Sequence, residues 1–206
     1  MPVDRDLDHL VYVTPDLPRT VARFAEMTGV APIDGGRHVG RGTRNYLVGL
    51  GGQRYLEIIG VDDDQPEPDR PRPFGIDELT ITRLVTWAVH TDDLDARVEA
   101  SRAAGYDPGP IEPLSRRTPA GDLLEWRLTN GDRRGLVPFV IGWGASRHPS
   151  TGLPAVELVS LHGLHPDPAA IQPKLAALDA ELDMREGAEP SLIAGLDTPN
   201  GPVSLT

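Results

Sequence analysis

Short apolar runs rich in β-branched residues recur along the chain, each followed by a helical pattern and by further short runs set off by glycine and proline. Three stretches share one phrasing: LDHLVYVTPDL at 7–17, LVTWAVHTDDL at 84–94 and LVSLHGLHPDP at 158–168. Each reads as a strand that ends in a polar residue and an aspartate. Apolar residues at helical spacing come next: Val21, Phe24 and Met27 before the stop Thr28-Gly29, then Leu94, Val98 and Ser101 before Gly105, then Ile171, Leu175, Leu178 and Leu182. That spacing predicts helices whose apolar faces, with Phe24 and Leu175 among them, bury against a sheet. Thr14 before Pro15, Thr91 before Asp92 and Asp167 before Pro168 carry the signature of helix N-caps.

Strand candidates follow each helix. In the first unit they lie at 45–50 and 54–60, around the Gly51-Gly52 turn. In the second they lie at 109–115, 123–129 and 136–143, and in the third at 184–186, 191–196 and 201–205. The pattern is therefore a strand, a helix and about three strands, three times over, with units at 5–61, 83–145 and 154–206. The proline-rich acidic stretch DDDQPEPDRPRP at 62–73 can neither hold a ladder nor bury apolar surface, so 62–80 reads as an exposed linker.

Composition narrows the function. At 206 residues there is room for one large domain or two small ones. The 20 Lys+Arg against 31 Asp+Glu leave a net charge of −11, and Lys174 is the sole lysine. That balance argues against nucleic acid, whose binders gain affinity by neutralising phosphates with clustered cations. No run approaches the ~20 apolar residues that span a bilayer. MPVDRDLDHL lacks the charged-then-apolar pattern of a leader, so the expectation is a cytoplasmic protein without membrane contact. The absence of cysteine excludes disulfide scaffolds, thiolate zinc centres, iron–sulfur clusters and thiol nucleophiles. The Gly-x-Ser-x-Gly elbow is missing, and the glycines at 35, 36, 40 and 42 lack the spacing and following helix of a phosphate loop.

The order of elements, with Leu7-Asp8-His9-Leu10-Val11-Tyr12, GRHVGRGTRN at 36–45, Tyr55-Leu56-Glu57-Ile58-Ile59-Gly60, RLVTW at 83–87 and AGYDPG at 104–109, resembles the vicinal-oxygen-chelate superfamily and, within it, the glyoxalase-like branch. The resemblance spans roughly residues 5–180. It implies an α+β fold of tandem β-α-β-β-β units, the glyoxalase/bleomycin-resistance/dioxygenase-like fold, with strands curled around a cleft. It also implies a small oxygenated metabolite chelated through two neighbouring oxygens by a divalent metal, and isomerase, lyase or dioxygenase chemistry. The third unit is expected to extend the two-unit body or to form a homodimer contact.

Strand alternation places His9, Val11 and Val13 on one face, and Tyr55, Glu57 and Ile59 on one face. A glutamate inside YLEIIG is costly to bury unless it is paired, hydrogen-bonded or metal-bound. An imidazole and a carboxylate from two strands suit Mn, Fe, Co, Ni or Zn. The resemblance implies that these two strands supply such ligands, with Glu57 also the catalytic carboxylate; a metal-free His9–Glu57 hydrogen bond is the alternative. His38, in a glycine-rich loop running into a strand, is the candidate third ligand, or else a solvent-facing loop histidine. Asn45 is placed to orient a substrate oxygen, Arg44 or Arg41 to bind a carboxylate, and Trp126 to line the cleft. Registering 14–17 on 91–94 sets Thr86 opposite His9, as a candidate substrate contact, and registering 55–60 on 137–142 sets Phe139 opposite Glu57. The resemblance implies a His and a Glu from each of two units, so half of that four-ligand set is missing. It also includes metal-free proteins that bind a drug or metabolite, which keeps open a second class, with a cleft lined by Trp87, Trp126 and Phe139. His90, His148, His162 and His165 read as structural.

Overall fold

The computed structural model describes residues 3–131 and 134–206. The first unit runs β1 (Leu7–Val13), α1 (Leu17–Thr28), β2 (Ile33–His38), β3 (Thr43–Gly49) and β4 (Tyr55–Val61). The second runs β5 (Arg83–His90), α2 (Leu94–Ala103), β6 (Ile111–Arg117), β7 (Leu123–Thr129) and β8 (Phe139–Gly142). Their eight strands close into a barrel in the order β1-β4-β3-β2-β6-β7-β8-β5. In each unit the first strand lies parallel to the last. One seam, β1 against β5, is a long antiparallel ladder, whereas β2 meets β6 through the pair Arg37 and Arg117. The α+β fold with strands curled around a cleft is thus the observed one.

Alternation sorts the apolar residues into two layers. Val11, Val13, Leu47, Tyr55, Ile59, Ala88, Phe139 and Ile141 point into the barrel. Leu10, Leu56, Ile58, Trp87 and Val89 point outward and bury against Phe24 of α1 and Val98 of α2. The caps sit two residues later than the threonines suggest. Asp16 and Asp93 accept from the backbone of Arg19 and Ala96, while Thr14 and Thr91 brace the turns ahead by accepting from Asp16 N and Asp93 N. Asp167 precedes a short 3-10 turn and makes no side-chain cap bond.

The third unit extends the two-unit body with a sheet of its own. Its elements come in the expected order, β9 (Glu157–His165), α3 (Gln172–Ala177), β10 (Asp183–Glu186), β11 (Ser191–Asp197) and β12 (Val203–Leu205), but they pair as β10-β9-β11-β12. Strand β9 takes β10 in parallel on one side and β11 antiparallel on the other, and β12 pairs with β11. The result is a separate sheet on the outside of the barrel, whose Leu158, Leu161, Leu192 and Leu196 join Leu10 and Trp87 in the outer core. Helix α3 ends at Ala177, and Asp179, at φ 51°, turns the chain before Leu182.

The 62–80 segment is less detached than its composition suggests. Its acidic tip is exposed, but Asp62 is buried and stands 3.4 Å from the Arg37 guanidinium. Arg72 bonds Glu67, Asp77 and the Gly42 carbonyl. Beyond it Phe74 and Ile76 bury in the inner core. Truncating Phe24 or Leu175 to alanine should cost about 2–5 kcal/mol each, from lost transfer energy and a cavity. Chemical denaturation reads this directly, and an unchanged midpoint for Leu175→Ala would mean that α3 does not support the outer core.

Candidate functional site

A cavity of about 270 Å³ opens inside the barrel. Its polar lining includes His9, His38, Asn45, Glu57 and Arg116, and its walls include Phe74, Trp126, Phe139 and Trp143. Strand β2, read from sequence as part of a loop, carries His38 to this lining. Its glycines lower strand propensity and so masked it.

Glu57 is the centre of the polar cluster. The Asn45 amide donates to Oε1 at 2.6 Å. His9 Nε2 stands 4.0 Å from Oε2, and His38 Nε2 stands 3.8 Å from Oε1. The other nitrogen of each ring is held from behind: His38 Nδ1 meets Thr43 Oγ1 at 3.1 Å, and His9 Nδ1 donates to Asp8 Oδ1 at 2.6 Å. An ionised carboxylate can only accept, so His9 Nδ1 carries a proton toward Asp8 and Nε2 is the nitrogen turned to Glu57. Tyr55 stacks on the same ring, with centroids 4.7 Å apart, and Phe139 meets it edge-on at 5.4 Å. Burial, reinforced by nearby Asp8 and Glu57, raises the Tyr55 phenol well above its ordinary value, so it stays protonated.

Simple alternation would turn Asp8 away from His9. The ladder with β5 shifts register between Leu7 and His9, and this irregularity lets neighbouring side chains meet. Asp8 is fully buried and also accepts from Trp143 Nε1 at 2.9 Å and from His148 Nε2 at 3.1 Å. Burial pushes its carboxyl up, but the bonds from His148 and His9 outweigh that and hold it well below the usual carboxylate range. Asp8 and its partner His148 were not legible as site residues, because the irregularity that joins them to His9 leaves no mark in the pattern.

The remaining candidates divide. Asn45 and Trp126 line the cavity, as does Arg41. Arg44 does not: strand alternation turns it to the other face of β3, where it pairs with Asp34 at 2.7 Å. Thr86 is buried but lies outside the lining. The ladders reproduce the registration that places Thr86 and Phe139 opposite His9 and Glu57. His9 faces Ala88 while Val11 faces Thr86, and Val11 pairs with Glu57 as Ala88 pairs with Phe139.

Two ring nitrogens and a carboxylate facing one space, each ring braced through its other nitrogen, form a donor set that suits a divalent ion. The separations of 3.8 and 4.0 Å exceed the roughly 3 Å between neighbouring ligands of one ion with bonds of ~2.1 Å. Accordingly, no three His, Cys, Asp or Glu side chains among the described residues are gathered tightly enough to grip an ion as they stand.

The sequence matches the glyoxalase-like domain family over residues 7–178, and the chain belongs to that family. No curated protein matches it significantly. Among solved structures, a hypothetical protein from Staphylococcus aureus superposes with a TM-score of 0.65 at 16% identity, over 96% of this chain and 83% of that one. A mutant of 4-hydroxymandelate synthase from Streptomyces coelicolor gives 0.55 at 16% identity, over 100% of this chain and 63% of that one. These likenesses establish the fold.

The Asp8 knot sets an acid sensitivity. Its folded value lies below the unfolded one of about 3.9, so its stabilisation is present above about pH 4 and is lost as the pH falls further. Asp8→Asn should lose roughly 1.5–3 kcal/mol at pH 7 and show a flatter decline of the urea midpoint between pH 5 and 3 than the parent does. A variant with the parent's stability and acid slope would remove Asp8 from this role.

Proposed function

We propose that the chain is a metal-dependent enzyme acting on a small oxygenated metabolite, with His9, His38 and Glu57 as the ligands. The observation that carries this reading is the convergence of two Nε2 atoms on one carboxylate while both Nδ1 atoms are held by other side chains. His9, His38 and Glu57 would hold the ion, which when bound would supply Lewis acidity to a substrate oxygen. The protein's own groups do the rest. Asp8 fixes the ring and tautomer of His9. Asn45 holds Glu57 Oε1, so that Oε2 faces the cavity and is the group that takes and returns a substrate proton in isomerase or lyase chemistry. The aromatic walls exclude water and bury the apolar part of the substrate. Among the described residues no helix is long and apolar enough to cross a membrane.

A second reading rests on the other half of the barrel. Thr86 and Phe139 offer no strong ligand at the positions matching His9 and Glu57, as suits a metal-free binding protein on the same fold. The two separate in a thermal-shift experiment. A ligand specific for the folded state at a hundredfold excess over Kd adds about 2.7 kcal/mol, and each kcal/mol moves the melting point by roughly 2–4 °C. Saturating Mn, Fe(II), Co, Ni or Zn should therefore raise the melting point by roughly 5–11 °C. Glu57→Gln, His9→Ala and His38→Ala should each remove most of the rise. If none of the five metals shifts the parent, the metal reading falls and the binding-protein reading replaces it.

A further inference from the structure

A buried cation in the cavity has no counter-ion among the described residues. Arg116, on β6, is 5% exposed and lines the cavity. Its Nη1 has no hydrogen-bond partner, and among the described residues no carboxylate pairs with it. The neighbouring arginines differ: Arg37 faces Asp62, Arg41 faces Glu112 and Arg44 faces Asp34. An unpaired guanidinium taken out of water is expensive, so a fold that keeps one buried leaves a place for an anion.

The opposite strand is shaped around this group. A Cβ at Gly35 would lie 2.9 Å from Arg116 Nη1, and one at Gly36 would lie 3.6 Å from it. Strand β2 thus withholds side chains where the guanidinium extends. The same Cβ at Gly35 would lie 2.2 Å from Asn45 Oδ1, a second buried atom without a partner. The Asn45 amide nitrogen already serves Glu57, so the two orphaned atoms border a space beside the proposed metal ligands. Arg116 also acts electrostatically on Tyr55, the ring stacked on His9.

We propose that Arg116 anchors a carboxylate of the substrate, so that this enzyme takes a small carboxylic acid with an apolar body. The inference deepens the function proposed above and rests on it for the placement of the reacting oxygens beside His9, His38 and Glu57. A carboxylate fits better than a phosphate. One planar guanidinium can satisfy a carboxylate through two parallel bonds, whereas a phosphate dianion needs more donors than this cavity of about 270 Å³ with aromatic walls presents.

The test uses the full chain freed of metal with a chelator, so that anion binding is read apart from metal binding. Melting curves are recorded with phenylacetate, with phenylacetamide as its neutral isostere, and with inorganic phosphate. Phenylacetate should raise the melting point saturably, with an apparent affinity at least tenfold above that of the amide. Arg116→Gln should abolish that difference, and Arg116→Lys should keep a weakened part of it. Ligand-free Arg116→Gln should melt no lower than the parent, since it relieves an unpaired buried charge; a merely structural arginine would give a loss. If Arg116→Gln does not fold, the inference is refuted on that count, and Arg116→Lys then reports whether any acid-over-amide preference exists. Equal responses to acid and amide, an acid response undiminished in Arg116→Gln, or phosphate binding as tightly as phenylacetate would each overturn the proposal. Acid selectivity through Arg116 in a parent that responds to no metal would uphold this inference while sinking the metal reading.

Discussion

The arrangement depends on one buried carboxylate. Asp8 receives an imidazole from each side and an indole from a third direction: His9 on its own strand, His148 on the loop after β8, and Trp143 at the barrel's end. A charge without water must be met by several donors, and meeting them ties β1 to a loop that the sequence spaces 135 to 140 residues away. The same bonds decide which nitrogen of His9 looks into the cavity. Remove the carboxylate, and both the fastening of the loop and the orientation of the ring go with it.

The barrel is symmetric in backbone and asymmetric in chemistry. The ladders relate Val11 to Ala88 and Glu57 to Phe139, so the two halves present equivalent positions to one cavity. The first half fills its positions with an imidazole and a carboxylate. The second puts Phe139 on the wall with Trp126 and Trp143, while Thr86 is buried outside the lining. This split suits a ligand with two ends. The first half contributes His9, His38, Asn45 and Glu57, and the second sets Arg116 among aromatic walls.

Much of this was legible in the residues. The three repeated phrasings, the helical spacing around Phe24, Val98 and Leu175, and the alternation around His9 and Glu57 come from period and burial, which single residues report well. What was not legible depended on pairing. Glycine-rich β2 lacks strand propensity and is a strand only because β3 binds its edge. Asp8 belongs to the site through an irregular register, which no pattern of alternation announces. Arg116 reads as a surface residue in LSRR until the neighbouring strand is known to withhold its side chains. In the third unit the order of elements was legible, whereas the neighbour each strand takes was not, because pairing depends on tertiary contacts and not on order along the chain.

The two seams of the barrel divide the work of the cavity. The β1–β5 ladder is long and lies under the outer core, with Leu10, Trp87 and the third sheet's Leu192 and Leu196 covering it. It is the stiff side, and it carries His9. The β2–β6 seam is held by the pair Arg37 and Arg117, with a backbone so close that a Cβ at Gly36 would meet the Arg117 carbonyl at 2.4 Å. Few ladder bonds make this the side that opens at least cost, and it carries Arg116 and His38. His9 stands on the long seam and is fixed from behind by Asp8, whereas His38 and Arg116 stand beside the short one, so the polar groups of the cavity are not all held with the same restraint.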